Sequence, residues 1–260
     1  MLKTILAHPL TAGLQVNDPS TTNLRRMIIE EKPFLKQIYQ DWYGEILAHI
    51  PAQQGAVLEL GSGAGFFEEL VPGLITSEVF QCNDIKIVAD AMTMPFGSSS
   101  LKAIVMTDVM HHIPDSHKFF QEASRCLKSD GTIVMVEPWL SRWSSLIYKN
   151  LHHEPFDQHS ATWTFPDQGP LSGANGALHW IIFQRDRAKF ERDFPELRIE
   201  AIRPMMPFRY LVSGGVSMRS LMPAFLTPVW KAIEAGLTPW MDSLAMFAFI
   251  AIRKVPTEAC

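Results

Sequence analysis

A glycine-rich turn directly after an apolar run is the feature that most restricts how this chain can fold. The stretch VLELGSGAGFF, residues 57–67, places Gly61, Gly63 and Gly65 at the end of a predicted strand. The next residues, FFEELV, are predicted to begin a helix. Glycine allows a sharp turn and close approach of the backbone to a ligand, and a helix that starts there presents unpaired N–H groups. The pattern predicts a strand–turn–helix unit whose turn binds a ligand.

Further apolar runs alternate with helical patterns along the rest of the chain. Strands are predicted at 74–79, 85–89, 101–109, 131–137, 197–203 and 244–252, and helices at 33–49, 115–131 and 180–193. Residues 1–30 are polar and are predicted to be mainly loop. Strands that alternate with helices indicate an α/β fold with a doubly wound parallel sheet. Only a few residues separate Glu78 from the 85–89 run, whereas a parallel crossover usually needs about a dozen. The third strand is therefore predicted to be short or missing, with a reduced second helix and an open neighbouring pocket.

Composition excludes several classes of function. A net charge of −4 and a pI near 6.1 provide no basic surface for nucleic acid. The three cysteines are odd in number and lack the spacing of a zinc site or a disulfide framework, as expected for reduced thiols. The sequence has no secretory signal pattern and no apolar run long enough for a membrane-spanning helix, which needs about 18 or more residues. A soluble, cytoplasmic protein is expected.

The chain is predicted to form one domain over residues 1–260. Residues 1–50 are expected to form an N-terminal helical cap, and residues 55–138 the ligand-binding half. Two segments rich in Trp, Phe, Met and Pro, 139–180 and 205–240, are too long for ordinary connections and are predicted to be substrate-side elaborations.

The order of motifs resembles a known family. VLELGSGAGFF, an acid at the end of the second strand, ADAMTMPFGSSSLKAIVMTDVMHHIPD and RCLKSDGTIVMVEP are similar to class I S-adenosylmethionine-dependent methyltransferases, in the small-molecule branch called methyltransferase type 11. The resemblance spans roughly residues 55–138. It implies a Rossmann-like sheet of seven strands with an antiparallel last strand. It also implies S-adenosylmethionine as cofactor and S-adenosylhomocysteine as product.

The resemblance also implies which residues hold the cofactor. An acid at the end of the second strand accepts both ribose hydroxyls, because a carboxylate has two oxygens. Glu78 and Asp84 both suit the spacing, and the predicted end of the strand favours Glu78. Asp90 would accept the adenine amino group beside Ala91 and Met92, and Glu59 would pair with the ammonium of the methionine portion. The remaining residues of the implied site are Gly61, Ser62, Gly63, Gly65, Asp108 and Val109.

The catalytic residues remain open at this point. Methyl transfer is an in-line displacement that depends mainly on alignment, and a hydroxyl or acidic carbon also loses a proton. Histidine accepts protons near neutral pH, so the candidates are His111, His112 and His152 with its neighbour His153, and Glu137 at the end of the fifth strand. No metal site is predicted, because the adjacent histidines of LHHEPF, residues 151–156, are expected to point apart.

The predicted activity is methyl transfer to a small acceptor. The apolar residues of 205–240 suggest that the acceptor is hydrophobic or lipid-linked and reached by transient contact with a membrane surface. A non-catalytic protein that binds the nucleoside cofactor in the same fold is the alternative. A nicotinamide oxidoreductase is disfavoured, because the third glycine of Gly-x-Gly-x-x-Gly is replaced by Phe66.

Overall fold

Seven strands form one sheet in the computed structural model, which describes residues 20–151, 154–166, 169 and 173–256. The strand order is β3-β2-β1-β4-β5-β7-β6, and β7 is antiparallel to both of its neighbours while β1 to β5 are parallel. The strands are β1 Ala56–Leu60, β2 Ile75–Glu78, β3 Ile87–Val88, β4 Leu101–Thr107, β5 Leu127–Pro138, β6 Leu197–Met205 and β7 Phe247–Lys254. This arrangement confirms the predicted fold class.

Helices cover both faces of the sheet. In chain order they are α1 Ser20–Glu31, α2 Pro33–Ala48, α3 Ser116–Cys126, α4 Arg142–Leu151, α5 Leu178–Trp180, α6 Arg187–Asp193, α7 Arg209–Ser213, α8 Thr227–Gly236 and α9 Met241–Leu244. One core packs β1 and β4 against α3 and α6 through Phe119, Phe120 and Phe190, and the other face packs against α2 through Trp42. None of the helices in these described ranges is long and apolar enough to cross a membrane.

Three local predictions were wrong. The segment predicted as loop before residue 30 contains α1, from Ser20 to Glu31. The helix expected after the glycine turn is replaced by two 3₁₀ turns, Ser62–Ala64 and Phe67–Glu69. Phe67 and its neighbour Phe66 are buried against the ring of Tyr43, and Pro72 follows closely, so the segment is too short and too constrained for a regular helix. The helix predicted to extend to Gly131 ends at Cys126, and β5 begins at the next residue.

The short third strand was predicted correctly. β3 consists of Ile87–Val88 and pairs in parallel with β2, and the connecting residues 79–86 contain no helix. Lys86 holds this connection by donating its backbone N–H to the carbonyl of Thr76 at 3.1 Å. Because no helix covers this edge of the sheet, the side chains of Val79 and Val88 are both 45% exposed.

Candidate active site

A cavity of about 690 Å³ opens at the carboxyl ends of four adjacent strands. Its wall includes Gly61 after β1, Glu78 at the end of β2, Ala89–Met92 after β3 and Thr107–Val109 at the end of β4. Three interstrand spacings separate these elements, which amounts to about 14 Å. Both the volume and the position outside parallel strands are typical of ligand-binding sites. The cavity is therefore the candidate active site.

The glycine turn is shaped by close contacts on three sides. Gly61 has φ +68°, and a Cβ atom there would lie 2.4 Å from Cγ2 of Val109. At Gly63 a Cβ would lie 2.1 Å from Cγ2 of Thr22 in α1, and at Gly65 it would lie 2.3 Å from the hydroxyl of Tyr43 in α2. Of these glycines, Gly61 lines the cavity. The other two allow the N-terminal helices to pack directly on the turn.

Ser62 supports the turn from behind. Its hydroxyl donates to the carbonyl of Glu59 at 3.1 Å and accepts the backbone N–H of Ser77 at 3.1 Å. These bonds join the end of β1 to β2. Ser62 is buried and does not line the cavity, so its contribution is to hold the turn in shape.

Glu78 and Asp84, the two candidates for the ribose acid, occupy different environments. Glu78 lines the cavity and is 8% exposed, whereas Asp84 lies exposed in the 79–86 connection. The Oε1 of Glu78 accepts the N–H of Gly63 at 3.1 Å, and its Oε2 accepts the N–H of Val79 at 3.3 Å. Burial raises the pKa of Glu78, and these two hydrogen bonds partly oppose that rise. The carboxylate is thus fixed at the cavity wall, and each oxygen retains a lone pair for a ligand.

Residues 90–92 form the cavity wall next to the β3 edge. The Oδ1 of Asp90 accepts the N–H of Met92 at 2.8 Å, which closes a tight turn. Asp90, Ala91 and Met92 all line the cavity, and Asp90 is exposed. This end of the cavity is open to solvent, as expected beside a short third strand.

Glu59 does not line the cavity. Its side chain is buried beneath the glycine turn, 3% exposed, and its Oε2 has no hydrogen-bond partner. Burial raises the pKa of Glu59 to about 8. The structure therefore places this acid in the protein interior, away from the position implied for a partner of the cofactor ammonium.

Asp108, Val109 and His112 line the polar end of the cavity after β4. Asp108 adopts φ +61°, and burial raises its pKa to about 6. The Nδ1 of His112 lies 3.0 Å from the carbonyl oxygen of Gly173, to which it donates as the Nδ1–H tautomer. Burial and the neighbouring charge of His111 lower the pKa of His112 to about 4.

His111 and Glu137 lie behind this wall. Glu137 is fully buried, and its Oε1 accepts the N–H groups of Val109 at 2.9 Å and Met110 at 2.8 Å. Its Oε2 lies 2.9 Å from Nδ1 of His111. Burial alone would lower the pKa of His111, but the neighbouring carboxylates of Glu137 and Glu154 raise it well above its usual value. Burial disfavours ionised Glu137, but His179 and His111 outweigh this and lower its pKa. These residues hold the turn after β4, and neither lines the cavity.

His152 and His153 lie outside the described residues.

Several cavity residues were missed by the sequence analysis. Arg25 of α1 and Tyr39 of α2 line the cavity, as do Tyr148, Glu154 and Tyr210. Burial raises the pKa of Glu78, Asp108 and Tyr39, and the positive charge of Arg25 partly opposes each rise, so Arg25 lies near all three. The sequence signal was the arginine pair in a helix-compatible stretch, LRRMIIEE, residues 24–31, which was interpreted as loop.

Comparisons with known proteins agree with this architecture. Residues 58–135 match the family model described as a methyltransferase domain. The fold is similar to geranyl diphosphate C-methyltransferase from Streptomyces coelicolor A3(2), with a TM-score of 0.52 and 16% identity over 88% of this chain and 82% of that one. It is also similar to a putative methyltransferase solved with the Haloferax volcanii Trm112 activator, with a TM-score of 0.52 and 12% identity over 94% of this chain and 100% of that one. No curated protein sequence is significantly similar.

Residues 58–135 therefore match a methyltransferase domain, and the strand order and the position of the cavity agree with S-adenosylmethionine as the cofactor. The residues present fit the cofactor. Gly61 leaves a space that a Cβ could not share with Val109, and the anchored carboxylate of Glu78 lies in the same wall.

Proposed function

We propose that the protein methylates a small hydrophobic acceptor, lipid-linked or taken from a membrane surface. The observation that carries this proposal is an exposed apolar surface that follows the cavity-lining segment Gly214–Met218 in the chain. We call it the α8 surface, and it comprises Leu221, Phe225, Val229, Ile233 and Trp240. Their exposed fractions are 56%, 77%, 53%, 44% and 58%.

The α8 surface has the geometry of one helix face. Phe225, Val229 and Ile233 are spaced four residues apart, so they project on the same side of the helical segment. The opposite side is anchored, because buried Glu234 accepts hydrogen bonds from the backbone N–H of Arg209 at 2.9 Å and from its Nε at 2.5 Å. A rigid apolar face with an exposed tryptophan is typical of segments that lie at a membrane interface.

The chain continues directly from the cavity wall to this surface. Gly214–Met218 line the cavity, and Leu221 follows three residues later. Lys32 fixes the connection by donating its Nζ to the carbonyls of Gly215, at 2.7 Å, and Met218. A cavity that opens beside a membrane-binding face could accept a lipid without its passage through water. The Streptomyces neighbour of similar fold was solved in complex with geranyl diphosphate.

Within the cavity, the residues divide into cofactor and acceptor sides. We assign Glu78 to the ribose hydroxyls, Asp90 with Ala91 and Met92 to adenine, and Arg25 to the cofactor carboxylate. Val109 and the turn at Gly61 would hold the methionine portion, which when bound supplies an electrophilic methyl group. The acceptor would lie toward Ile113 and Met246, with its reacting atom at the polar end formed by Asp108, His112 and Glu154. Alignment there converts methyl transfer into an in-line, intramolecular-like step.

The proposal predicts that the double substitution Phe225→Glu and Ile233→Glu weakens vesicle binding tenfold or more. Two apolar side chains, each worth roughly 1.5–3 kcal/mol when fully buried, would be replaced by charges. Co-sedimentation with phospholipid vesicles measures binding. Transfer of radiolabelled methyl from S-adenosylmethionine into the extractable lipid fraction measures turnover.

The matched control is the double substitution Leu47→Glu and Leu70→Glu, whose side chains are each 42% exposed and lie outside the α8 surface. It should leave vesicle binding unchanged. Equal vesicle binding by all three proteins, or an α8 surface buried in a dimer by gel filtration with light scattering, would contradict the proposal. Cofactor binding without any labelled methyl in the lipid or aqueous fraction would support the non-catalytic alternative.

A further inference from the structure

Three side chains with metal-binding atoms converge at the polar end of the cavity, where His112 and Glu154 line the wall and His111 lies behind it. Nε2 of His111 lies 3.4 Å from Oε2 of Glu154, and Nε2 of His112 lies 3.8 Å from Oε1 of the same carboxylate. The ligand atoms of the three residues all lie within 4.8 Å of one another. We propose that His111, His112 and Glu154 bind a divalent transition-metal ion.

The distances suit a shared ion better than direct hydrogen bonds. Hydrogen bonds to nitrogen usually measure about 2.7–3.2 Å. Two ligand atoms that each lie about 2.0–2.1 Å from a tetrahedral zinc ion are separated by about 3.3 Å. The separations of 3.4 and 3.8 Å from Glu154 to the two imidazole nitrogens are near this value.

The second nitrogen of each histidine supports the same conclusion. Nδ1 of His111 lies 2.9 Å from Oε2 of Glu137, and Nδ1 of His112 lies 3.0 Å from the carbonyl oxygen of Gly173. Histidines that bind metals usually donate the other ring N–H to a carboxylate or a backbone carbonyl, which orients the ring and its lone pair. Here both histidines have such a partner, and both Nε2 atoms face Glu154.

The prediction of no metal site concerned the adjacent histidines of residues 151–156, and a backbone turn brings a different pair, His111 and His112, together. Neighbouring histidines in a strand or helix point in different directions. Met110–His112 instead form a 3₁₀ turn that brings the two ring centres to 4.2 Å. Glu154 then approaches from a segment more than 40 residues away in sequence. A second group, Asp108 with His111 and Glu137, is less suitable, because Glu137 already accepts two backbone N–H groups and His111 Nδ1.

Two imidazoles and one carboxylate favour zinc or a similar transition-metal ion over magnesium, which prefers oxygen ligands. His112 and Glu154 line the cavity, so further coordination positions would face it. An ion there would polarise an acceptor oxygen and favour loss of its proton. This catalytic role rests on the proposed function, but the metal site itself does not.

The test uses the untagged full-length protein, stripped with a chelator and then titrated with Co²⁺. The expected result is visible d–d absorption that saturates at one ion per chain and is displaced by Zn²⁺. Glu154→Gln and His112→Gln should each weaken binding tenfold or more in competition with a chromophoric chelator. His117→Gln is the matched control, because Nε2 of His117 lies 3.9 Å from Asp193 in a surface pair. It should leave metal binding unchanged.

Absence of the cobalt spectrum in the wild-type protein would overturn the proposal. Equal metal binding by the wild type and both ligand variants would also overturn it. Thermal melts of the apo proteins show whether each variant is folded, and the wild-type spectrum needs no variant. Because neither acceptor nor methyl transfer enters this measurement, its failure is distinguishable from failure of the proposed function.

Discussion

Glu78→Gln is expected to weaken S-adenosylmethionine binding by about 100- to 1000-fold. A hydrogen bond to a charged group contributes about 1.5–3 kcal/mol, and two ribose hydroxyls would lose the carboxylate as acceptor. The amide also replaces one of the two oxygens that accept the N–H groups of Gly63 and Val79. One of these backbone donors therefore loses its partner at the cavity wall. Calorimetric titration with S-adenosylmethionine and S-adenosylhomocysteine measures the effect.

Asp84→Asn is the matched control for this prediction. It removes the same charge from an exposed residue six positions later in the chain, and Asp84 does not line the cavity. The control should bind the cofactor as the wild type does. A large loss in Asp84→Asn together with normal binding by Glu78→Gln would reverse the assignment of the ribose acid.

The strands were predictable because burial on both faces leaves a direct signal in the sequence. The last strand, Phe247–Lys254, is buried at its first six positions and was recognised from an uninterrupted apolar run. The reduced third strand followed from chain length alone, since residues 79–86 cannot contain a normal helical crossover.

The position of the N-terminal helix could not be predicted from the sequence pattern, because it depends on tertiary contacts. Its residues Leu24, Met27 and Ile28 do have helical spacing, but they follow a polar, turn-like stretch and the segment was interpreted as loop. The helix is instead positioned by close packing of Thr22 on Gly63, and this contact brings Arg25 to the cavity. Sequence spacing carries no information on such a contact between distant residues.

Glu154 was missed for a related reason. Nothing in its local sequence relates it to His111 and His112, and only the fold brings the three together. Conversely, Glu59 belongs to a recognisable motif, yet the structure buries its side chain under the turn instead of in the cavity wall. A motif locates the strand and turn, whereas the direction of each side chain depends on packing around them.

The buried carboxyl of Glu59 leads to the second large prediction, which concerns stability. Its pKa is about 8 in the folded protein, compared with 4.5 when it is unperturbed. The native state therefore retains the proton at pH values where the unfolded chain has lost it. Stability from this group is fully present below pH 4.5 and is lost as the pH rises to about 8. Each pKa unit corresponds to about 1.4 kcal/mol, so the loss between pH 5 and pH 8 is on the order of 4 kcal/mol.

Glu59→Gln removes this titration and keeps the shape of the side chain. From pH 5 to pH 8 the free energy of unfolding of the wild type should fall by about 4 kcal/mol because of this group, and the variant should lack that fall. Urea denaturation of both proteins at the two pH values measures this difference. The control is Glu69→Gln, which changes an exposed acid on the same connection and should leave the pH dependence unaltered. If Glu59→Gln instead weakens cofactor binding strongly and leaves the pH dependence of stability unchanged, the carboxylate faces the cofactor ammonium, and its placement in the interior is wrong.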